Sequence, residues 1–82
     1  ALAWDIIDNI GGKENVRSVT YCITRVRFYL TDSTKAKTDI ITNLNGVLNV
    51  VQASGQYQVV VGPEAEEVYN AIMSQLGEVS SS

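Results

Sequence analysis

The residues of this sequence that can do covalent chemistry cluster around its single cysteine, Cys22. Residues 17–31 include three arginines and no acidic residue, whereas the rest of the chain carries three lysines and nine acidic residues. Nearby cations lower the pKa of a cysteine because they favour its thiolate. Arg25 and Arg27 follow Cys22 closely and can bind a dianionic group through charge-assisted hydrogen bonds. The pattern therefore predicts a nucleophilic thiolate that receives an anionic group.

The lone cysteine and the nearby arginines also have ordinary structural explanations. A lone cysteine is most often a small buried hydrophobe, and arginines are common on the outer face of a strand. Period-two alternation places Cys22 on the same side of its strand as Ser18 and Thr20. The less polar Val19 and Tyr21 then lie on the other side. The ordinary explanation accounts for the arginines or the exposed cysteine separately, but it explains their combination poorly.

The composition disfavours or excludes several classes of protein. The 82 residues contain no histidine and one cysteine. The chain alone therefore forms neither a histidine-based catalytic triad nor an intrachain disulfide, and a zinc site would need mostly carboxylates. A net charge of −3 disfavours a nucleic-acid-binding protein. No apolar run is long enough to span a membrane. We expect no metal and no cofactor, and the single cysteine favours a reducing compartment such as the cytoplasm.

Known cysteine and phosphate motifs narrow the chemistry further. The cysteine-phosphatase loop requires Cys-x5-Arg, and Phe28 stands at the arginine position. A thioredoxin-like motif requires a second cysteine, and papain-like proteolysis requires a histidine. Gly11-Gly12-Lys13 is followed by Glu14 rather than by the serine or threonine of a P-loop. What remains is a thiolate that needs no base and has arginines to receive an anionic group, as a phosphocarrier requires.

Three helices and two hairpins are predicted to position these residues. Apolar residues at helical spacing predict helices that end at Gly11-Gly12, at Asn45-Gly46 and at Gly77. Alternating residues predict strands over residues 16–22, 25–31, 47–53 and 56–61. The order α-β-β-α-β-β-α predicts an α+β fold, a four-stranded antiparallel sheet of two hairpins with three helices on one face. The domain is expected to occupy residues 1–77, and residues 78–82 to form a linker or flexible tail.

Short motifs between residues 11 and 63 occur in a specific order, within a match that extends over about residues 5–72. They are Gly11-Gly12-Lys13-Glu14-Asn15, Cys22-Ile23-Thr24-Arg25-Val26-Arg27-Phe28, Asp32, Gly46-Val47 and Gln56-Tyr57-Gln58-Val59-Val60-Val61-Gly62-Pro63. On these motifs the sequence resembles the IIB domain of the glucose superfamily of bacterial sugar phosphotransferase permeases. The sucrose, trehalose and β-glucoside branch is the most similar. The fold that this resemblance implies is the α+β fold predicted from the residue pattern.

The resemblance implies a role for each matching residue. Cys22 would take a phosphoryl group from a histidine of a IIA phosphocarrier and pass it to a sugar held by the membrane-embedded IIC domain. Thr24, Arg25 and Arg27 match the family positions around the phosphocysteine, and Gln58 matches a glutamine near the same site. A solvated strand residue is the competing interpretation of Gln58. The resemblance implies a phosphotransferase domain on the cytoplasmic side of the bacterial cell membrane, and we expect the isolated domain to be monomeric.

The turn after Cys22 is expected to contribute through its backbone. Successive N–H groups of the Ile23–Arg25 turn can form a nest for a phosphate, and the Ile23 side chain is a candidate partner contact. Three residues depart from the family pattern, namely Tyr21, Val26 and Asn49. Two alternatives stay open. One is a phosphorylatable regulatory domain of the same fold, and the other is a non-catalytic α+β binding module with an inert cysteine.

Overall fold

Three α-helices and four β-strands are present in residues 1–80, the part of the chain that this computed structural model describes. The helices are α1 (Leu2–Asn9), α2 (Thr38–Thr42) and α3 (Ala65–Ser80). The strands are β1 (Val16–Tyr21), β2 (Arg25–Leu30), β3 (Asn49–Ala53) and β4 (Gln56–Val60). Short 3-10 turns precede β1, α2 and α3. The predicted α+β order is confirmed.

All four strands form one antiparallel sheet in the order β1-β2-β4-β3. The two hairpins meet where β2 pairs with β4, so both of these strands are central. In this register Arg27 lies opposite Gln58 on β4 and opposite Thr20 on β1. Because side chains alternate across a strand, Arg25, Arg27 and Gln58 share one face of the sheet.

The helices cover the other face of the sheet and form the core with it. α1 packs on α2 and α3, and α3 packs on β1 and β2. Burial of each aliphatic core side chain stabilises the fold by about 1.5–3 kcal/mol. Val26 and Phe28 point into this core. Because side chains alternate along a strand, Arg27 between them must point outward from the open face of the sheet. The largest fully buried side chains are Ile6, Ile7, Ile10, Val26, Phe28, Ile41, Tyr57, Val59 and Ile72.

The second helix ends at Thr42, earlier than the predicted end at Asn45-Gly46. The Asp32 carboxylate accepts hydrogen bonds from the backbone N–H (3.0 Å) and the hydroxyl (2.5 Å) of Thr34. This side-chain cap begins a 3-10 turn over Ser33–Lys35. Ala36 is then extended (φ −76°, ψ 127°), and the Lys37 N–H donates to the carbonyl of Asn9 at 2.7 Å, so α2 begins at Thr38. Within α2, Ile41 is fully buried, whereas Ile40 is 42% exposed.

The predicted helix end at Gly77 is wrong, because α3 continues to Ser80. A glycine stops a helix when it adopts the left-handed conformation. Gly11 has a positive φ angle, as the predicted end of α1 requires, but Gly77 does not. Gly46 also has a positive φ angle, although α2 has already ended at Thr42. The end of the predicted tail, residues 81–82, lies outside the described residues, and the domain boundary stays a prediction. Within residues 1–80, the helices lack the combination of length and apolarity that crossing a membrane requires.

A buried asparagine ties the helical layer to the first hairpin. Asn15 is 3% exposed. Its Nδ2 donates to the carbonyls of Ile10 (2.6 Å) and Asp32 (2.9 Å), and its Oδ1 accepts from the Asp32 N–H (2.9 Å). A Cβ on Gly11 would lie 2.7 Å from this Nδ2, and Gly11 has a φ of +104°. The glycine therefore allows the close approach that lets one side chain join the end of α1 to the end of β2.

Candidate functional site

The turn between β1 and β2 presents Cys22 and is anchored to a neighbouring strand. The N–H of Cys22 donates to the carbonyl of Arg25 (2.9 Å), which closes the hairpin. The carbonyl of Thr24, inside the turn, accepts from the N–H groups of Val61 (3.0 Å) and Gly62 (2.9 Å). Gly62 has a φ of +75°, which other residues rarely adopt. The turn is thus fixed to the chain that follows β4.

Backbone hydrogen bonds have the largest effect on the ionisation of the cysteine. Cys22 is half-buried, and the pKa of its thiol is lowered, chiefly by the hydrogen bond from the Thr24 N–H. Burial acts in the opposite direction and raises the pKa. The Arg25 N–H lowers the pKa further, followed by the charges of Arg27 and Arg25. The charge argument from the sequence therefore gives the right direction but not the main cause.

The two arginines of β2 lean in opposite directions over the open face. Arg27 reaches toward β1, and its Nη2 lies 3.7 Å from the Cys22 sulfur. Arg25 reaches toward β4, and its Nη1 donates to Oε1 of Gln58 at 2.8 Å. The Nε of Arg27 is buried and has no hydrogen-bond partner among the described residues. An unpaired buried donor on the guanidinium that contacts the sulfur favours the binding of an anion.

Gln58 is more buried than its place on the open face suggests. It is 7% exposed, because β4 is central and Arg27 and Val51 flank Gln58 on the neighbouring strands. Its Nε2 donates to Oε1 of Gln56 at 2.8 Å. The interpretation of Gln58 as a solvated strand residue is therefore wrong. Gln56 was not identified as a site residue, although period-two alternation places it on the same face as Gln58.

An open concavity lies beside the sulfur. Ile23 at the tip of the turn is 87% exposed, as the sequence predicts. Tyr21 lies on the helical side, where its ring centroid is 4.5 Å from that of Tyr69 on α3. Apolar surface therefore borders the thiol on the side of α3. The concavity is lined by Tyr21, Cys22, Ile23, Pro63 and Glu66.

The structure brings the predicted site residues together around one turn. Cys22 is in contact with Arg27 and with the N–H groups of Thr24 and Arg25. Gln58 contacts Arg25 rather than the sulfur, so it supports an arginine of the site and does not contact the thiol. These contacts establish that the residues are close to one another. Their assignment to a phosphoryl group remains a prediction.

Comparison with known proteins relates this arrangement to one family. Residues 5–36 match the family described as phosphotransferase system, EIIB. The chain is 51% identical over 72 residues to the β-glucoside-specific EIIBCA component of Halalkalibacterium halodurans, covering 88% of this chain and 11% of that protein. It is 34% identical over 73 residues to the trehalose-specific EIIBC component of Escherichia coli, covering 89% and 15%. A solved domain of the PTS system IIabc component from Clostridium difficile matches with a TM-score of 0.76 and 27% identity, over 94% of this chain and 77% of that one.

The fold and the matches define a small α+β domain of the bacterial phosphotransferase system. The chain belongs to the EIIB family, in the branch of the β-glucoside- and trehalose-specific permease components. The resemblance found in the sequence is thereby confirmed. The chain spans 11% and 15% of the two curated relatives described above, which are several times longer.

Proposed function

We propose that this domain is a cysteine phosphocarrier of a bacterial sugar phosphotransferase permease. Cys22 accepts a phosphoryl group from a phosphohistidine of a IIA protein or domain and passes it to a sugar bound by the IIC membrane domain. The observation that carries the proposal is the environment of the thiol. The Thr24 N–H lowers the pKa of Cys22, and Arg27 Nη2 lies 3.7 Å from the sulfur. A thiolate surrounded by donors suits both the arrival and the departure of a phosphoryl group.

In the first half-reaction, the Cys22 thiolate attacks phosphorus in line with the P–N bond of the donor. The S–P bond forms, the P–N bond breaks, and its electron pair returns to the imidazole nitrogen. Because the thiolate is already deprotonated, this step requires no base from a chain that contains no histidine. The Thr24 N–H and the Arg27 guanidinium would offset the negative charge spread over the phosphoryl oxygens.

In the second half-reaction, a sugar hydroxyl oxygen attacks the phosphorus of phosphocysteine. The O–P bond forms, the S–P bond breaks, and the electron pair returns to Cys22 as a thiolate. The hydroxyl proton goes to a base or water on the acceptor side. A lowered pKa makes the thiolate a better leaving group, so the hydrogen bonds that activate Cys22 in the first step also assist its release in the second.

The partners follow from these two half-reactions. They are a IIA phosphocarrier as donor and a IIC membrane domain as the holder of the acceptor sugar, which would place this domain on the cytoplasmic side of the membrane. Relatives of the chain are named for β-glucosides, trehalose and N-acetylmuramic acid. Because similar domains occur in proteins named for different sugars, we expect the IIC domain to select the sugar.

Thiol protection tests the proposal and separates it from its two rivals. Iodoacetamide at neutral pH should alkylate Cys22 in the folded chain, and prior incubation with phosphorylated IIA should prevent this. Membranes that carry IIC, together with the sugar, should then restore reactivity. A binding module with an inert cysteine predicts that prior incubation with phosphorylated IIA does not prevent alkylation of the half-buried thiol. A regulatory domain predicts protection by IIA but no restoration by the sugar.

A further inference from the structure

A continuous row of hydrogen bonds crosses the open face of the sheet next to the site. Arg25 Nη1 donates to Oε1 of Gln58 at 2.8 Å. Nε2 of Gln58 donates to Oε1 of Gln56 at 2.8 Å, and Nε2 of Gln56 donates to the hydroxyl of Tyr29 at 2.6 Å. The row joins an arginine of the proposed site to two residues that lie further along the sheet.

The chemistry of arginine fixes the direction of the whole row. A guanidinium has donors only, so the atom of Gln58 that faces Arg25 must be the carbonyl oxygen. The amide nitrogen of Gln58 then faces Gln56 and requires an acceptor there, which sets the orientation of the second amide. Tyr29 accepts the last bond, and its own proton can point to solvent because Tyr29 is 39% exposed. Reversing either amide would place two donors face to face.

Burial makes the orientation of Gln58 costly to lose. Gln58 is 7% exposed, so solvent does not readily replace a lost partner of its amide. In the sheet register Gln58 lies opposite Arg27, and it therefore reaches Arg25 diagonally. Arg25 is held toward β4, while Arg27 reaches toward Cys22. The two side chains thus lean to opposite sides of β2, and Arg27 is the one that contacts the sulfur.

We propose that Gln56 and Tyr29 are positioning residues for phosphoryl transfer. They hold the Gln58 amide so that its carbonyl oxygen keeps the Arg25 guanidinium in place for the phosphoryl group on Cys22. The proposal rests on the phosphocarrier function proposed above. Arg25 gives one N–H to Gln58 and retains its other donors for phosphoryl oxygens. An arginine that is already held loses less side-chain freedom during transfer.

The test is the rate of phosphoryl acceptance from phosphorylated IIA by variants of Gln56. Gln56→Leu removes the acceptor for Gln58, so the rate at saturating donor should fall about 5- to 10-fold. The donor concentration that gives half the maximal rate should stay unchanged, because Gln56 does not bind the donor. Gln56→Glu keeps an acceptor for Gln58 and can also accept the Tyr29 proton. Two hydrogen bonds of 2.8 Å and one amide group would join its carboxylate to Arg25 Nη1, so the rate is compared at high ionic strength, where the added charge is screened and the rate should stay within about 2-fold of wild type.

A double-mutant cycle separates positioning from a general structural effect. If Gln56 acts through Arg25, Gln56→Leu should cause no further loss of rate in an Arg25→Gln background. Tyr29→Phe should cause a smaller loss than Gln56→Leu, because it removes the more exposed end of the row. Gln52→Leu, a change at an exposed glutamine of β3, is the matched control and should leave the rate unchanged. Thermal melting of each variant reports whether it is folded.

Two kinds of failure have different signatures. If the wild-type chain accepts phosphate and folded Gln56→Leu accepts it equally fast, the positioning role is overturned and the phosphocarrier function stands. The same conclusion follows if Gln56→Leu costs the same factor with and without Arg25. If the wild-type chain takes no phosphoryl group on Cys22, the phosphocarrier function itself is overturned, and the positioning role with it.

Discussion

At the scale of single residues, the lowered pKa of Cys22 depends more on the backbone N–H group of Thr24 than on the charges of the arginines. The register of the cysteine and the positive charge of its segment could be predicted from the sequence. The direction of the Thr24 N–H could not, because the turn is fixed by hydrogen bonds from Val61 and Gly62 to the Thr24 carbonyl. Those partners are remote in sequence, and only the folded sheet brings them to the turn. Local sequence therefore predicts the thiolate without its main source of stabilisation.

The reactivity of Cys22 should depend on pH in a defined direction. Only the thiolate reacts with iodoacetamide, and the pKa of Cys22 is lowered. The alkylation rate of the folded chain should therefore reach half its maximum at a lower pH than for a free cysteine. The measurement is the rate across a pH series. A midpoint at or above that of the free thiol would contradict the lowered pKa.

The two arginines should affect the sulfur unequally. Arg27→Gln should raise the midpoint of alkylation more than Arg25→Gln, because Arg27 Nη2 lies 3.7 Å from the sulfur whereas Arg25 is bound to Gln58. In phosphoryl acceptance, losing the Arg27 contact should slow the rate by about 30- to 1000-fold. Arg27→Lys keeps the charge without the planar fork and should restore the rate only in part. Arg17→Gln, at an exposed arginine of β1, is the matched control, and equal effects at all three positions would contradict the account.

At the scale of secondary-structure elements, the predicted helix ends depended on whether each glycine adopts the left-handed conformation. The helix before Gly11-Gly12 ends as predicted, with positive φ at both glycines. The end predicted at Gly77 is wrong because α3 continues through it. The sequence shows that glycine can adopt a left-handed conformation, but packing of the helix decides whether it does. Among the strands, β3 begins at Asn49 rather than at the predicted residue 47.

The Asn15 side chain should contribute strongly to the stability of the fold. Asn15→Ala removes three hydrogen bonds from a buried position and leaves the Ile10 and Asp32 backbone groups without those partners. The free energy of unfolding should fall by about 2–4 kcal/mol. Asn43→Ala removes one hydrogen bond of an exposed asparagine and should change stability by less than about 0.5 kcal/mol. Urea unfolding of both variants measures the difference, and equal losses would contradict the role of Asn15.

At the scale of the whole molecule, the site exists because the two hairpins join. Arg25 lies on β2 and Gln58 on β4, and the β2–β4 pairing brings them together. Because Gln58 lies opposite Arg27 in the register, Arg25 and Gln58 face the same side of the sheet. The strand order that makes them neighbours, and that buries Gln58, is a property of the assembled sheet. For that reason the row that includes Gln56 and Tyr29 was not predicted.

The turn and the apolar surface around it should form part of the docking surface for the IIA donor. Ile23 is 87% exposed, so Ile23→Asp should raise the donor concentration needed for half-maximal acceptance while the melting temperature stays nearly unchanged. Ile40→Asp, at a partly exposed isoleucine on α2, should leave that concentration unchanged. An unchanged half-maximal donor concentration for folded Ile23→Asp would contradict this docking role.

The central claim is that Cys22 carries the phosphoryl group, and intact mass measures this most directly. The wild-type chain would be incubated with phosphorylated IIA and compared with Cys22→Ser, which retains the shape of the turn. Wild type should gain the mass of one phosphoryl group, located on Cys22 by fragmentation, and Cys22→Ser should gain none. An unchanged wild-type mass, or the same gain in Cys22→Ser, would contradict the account.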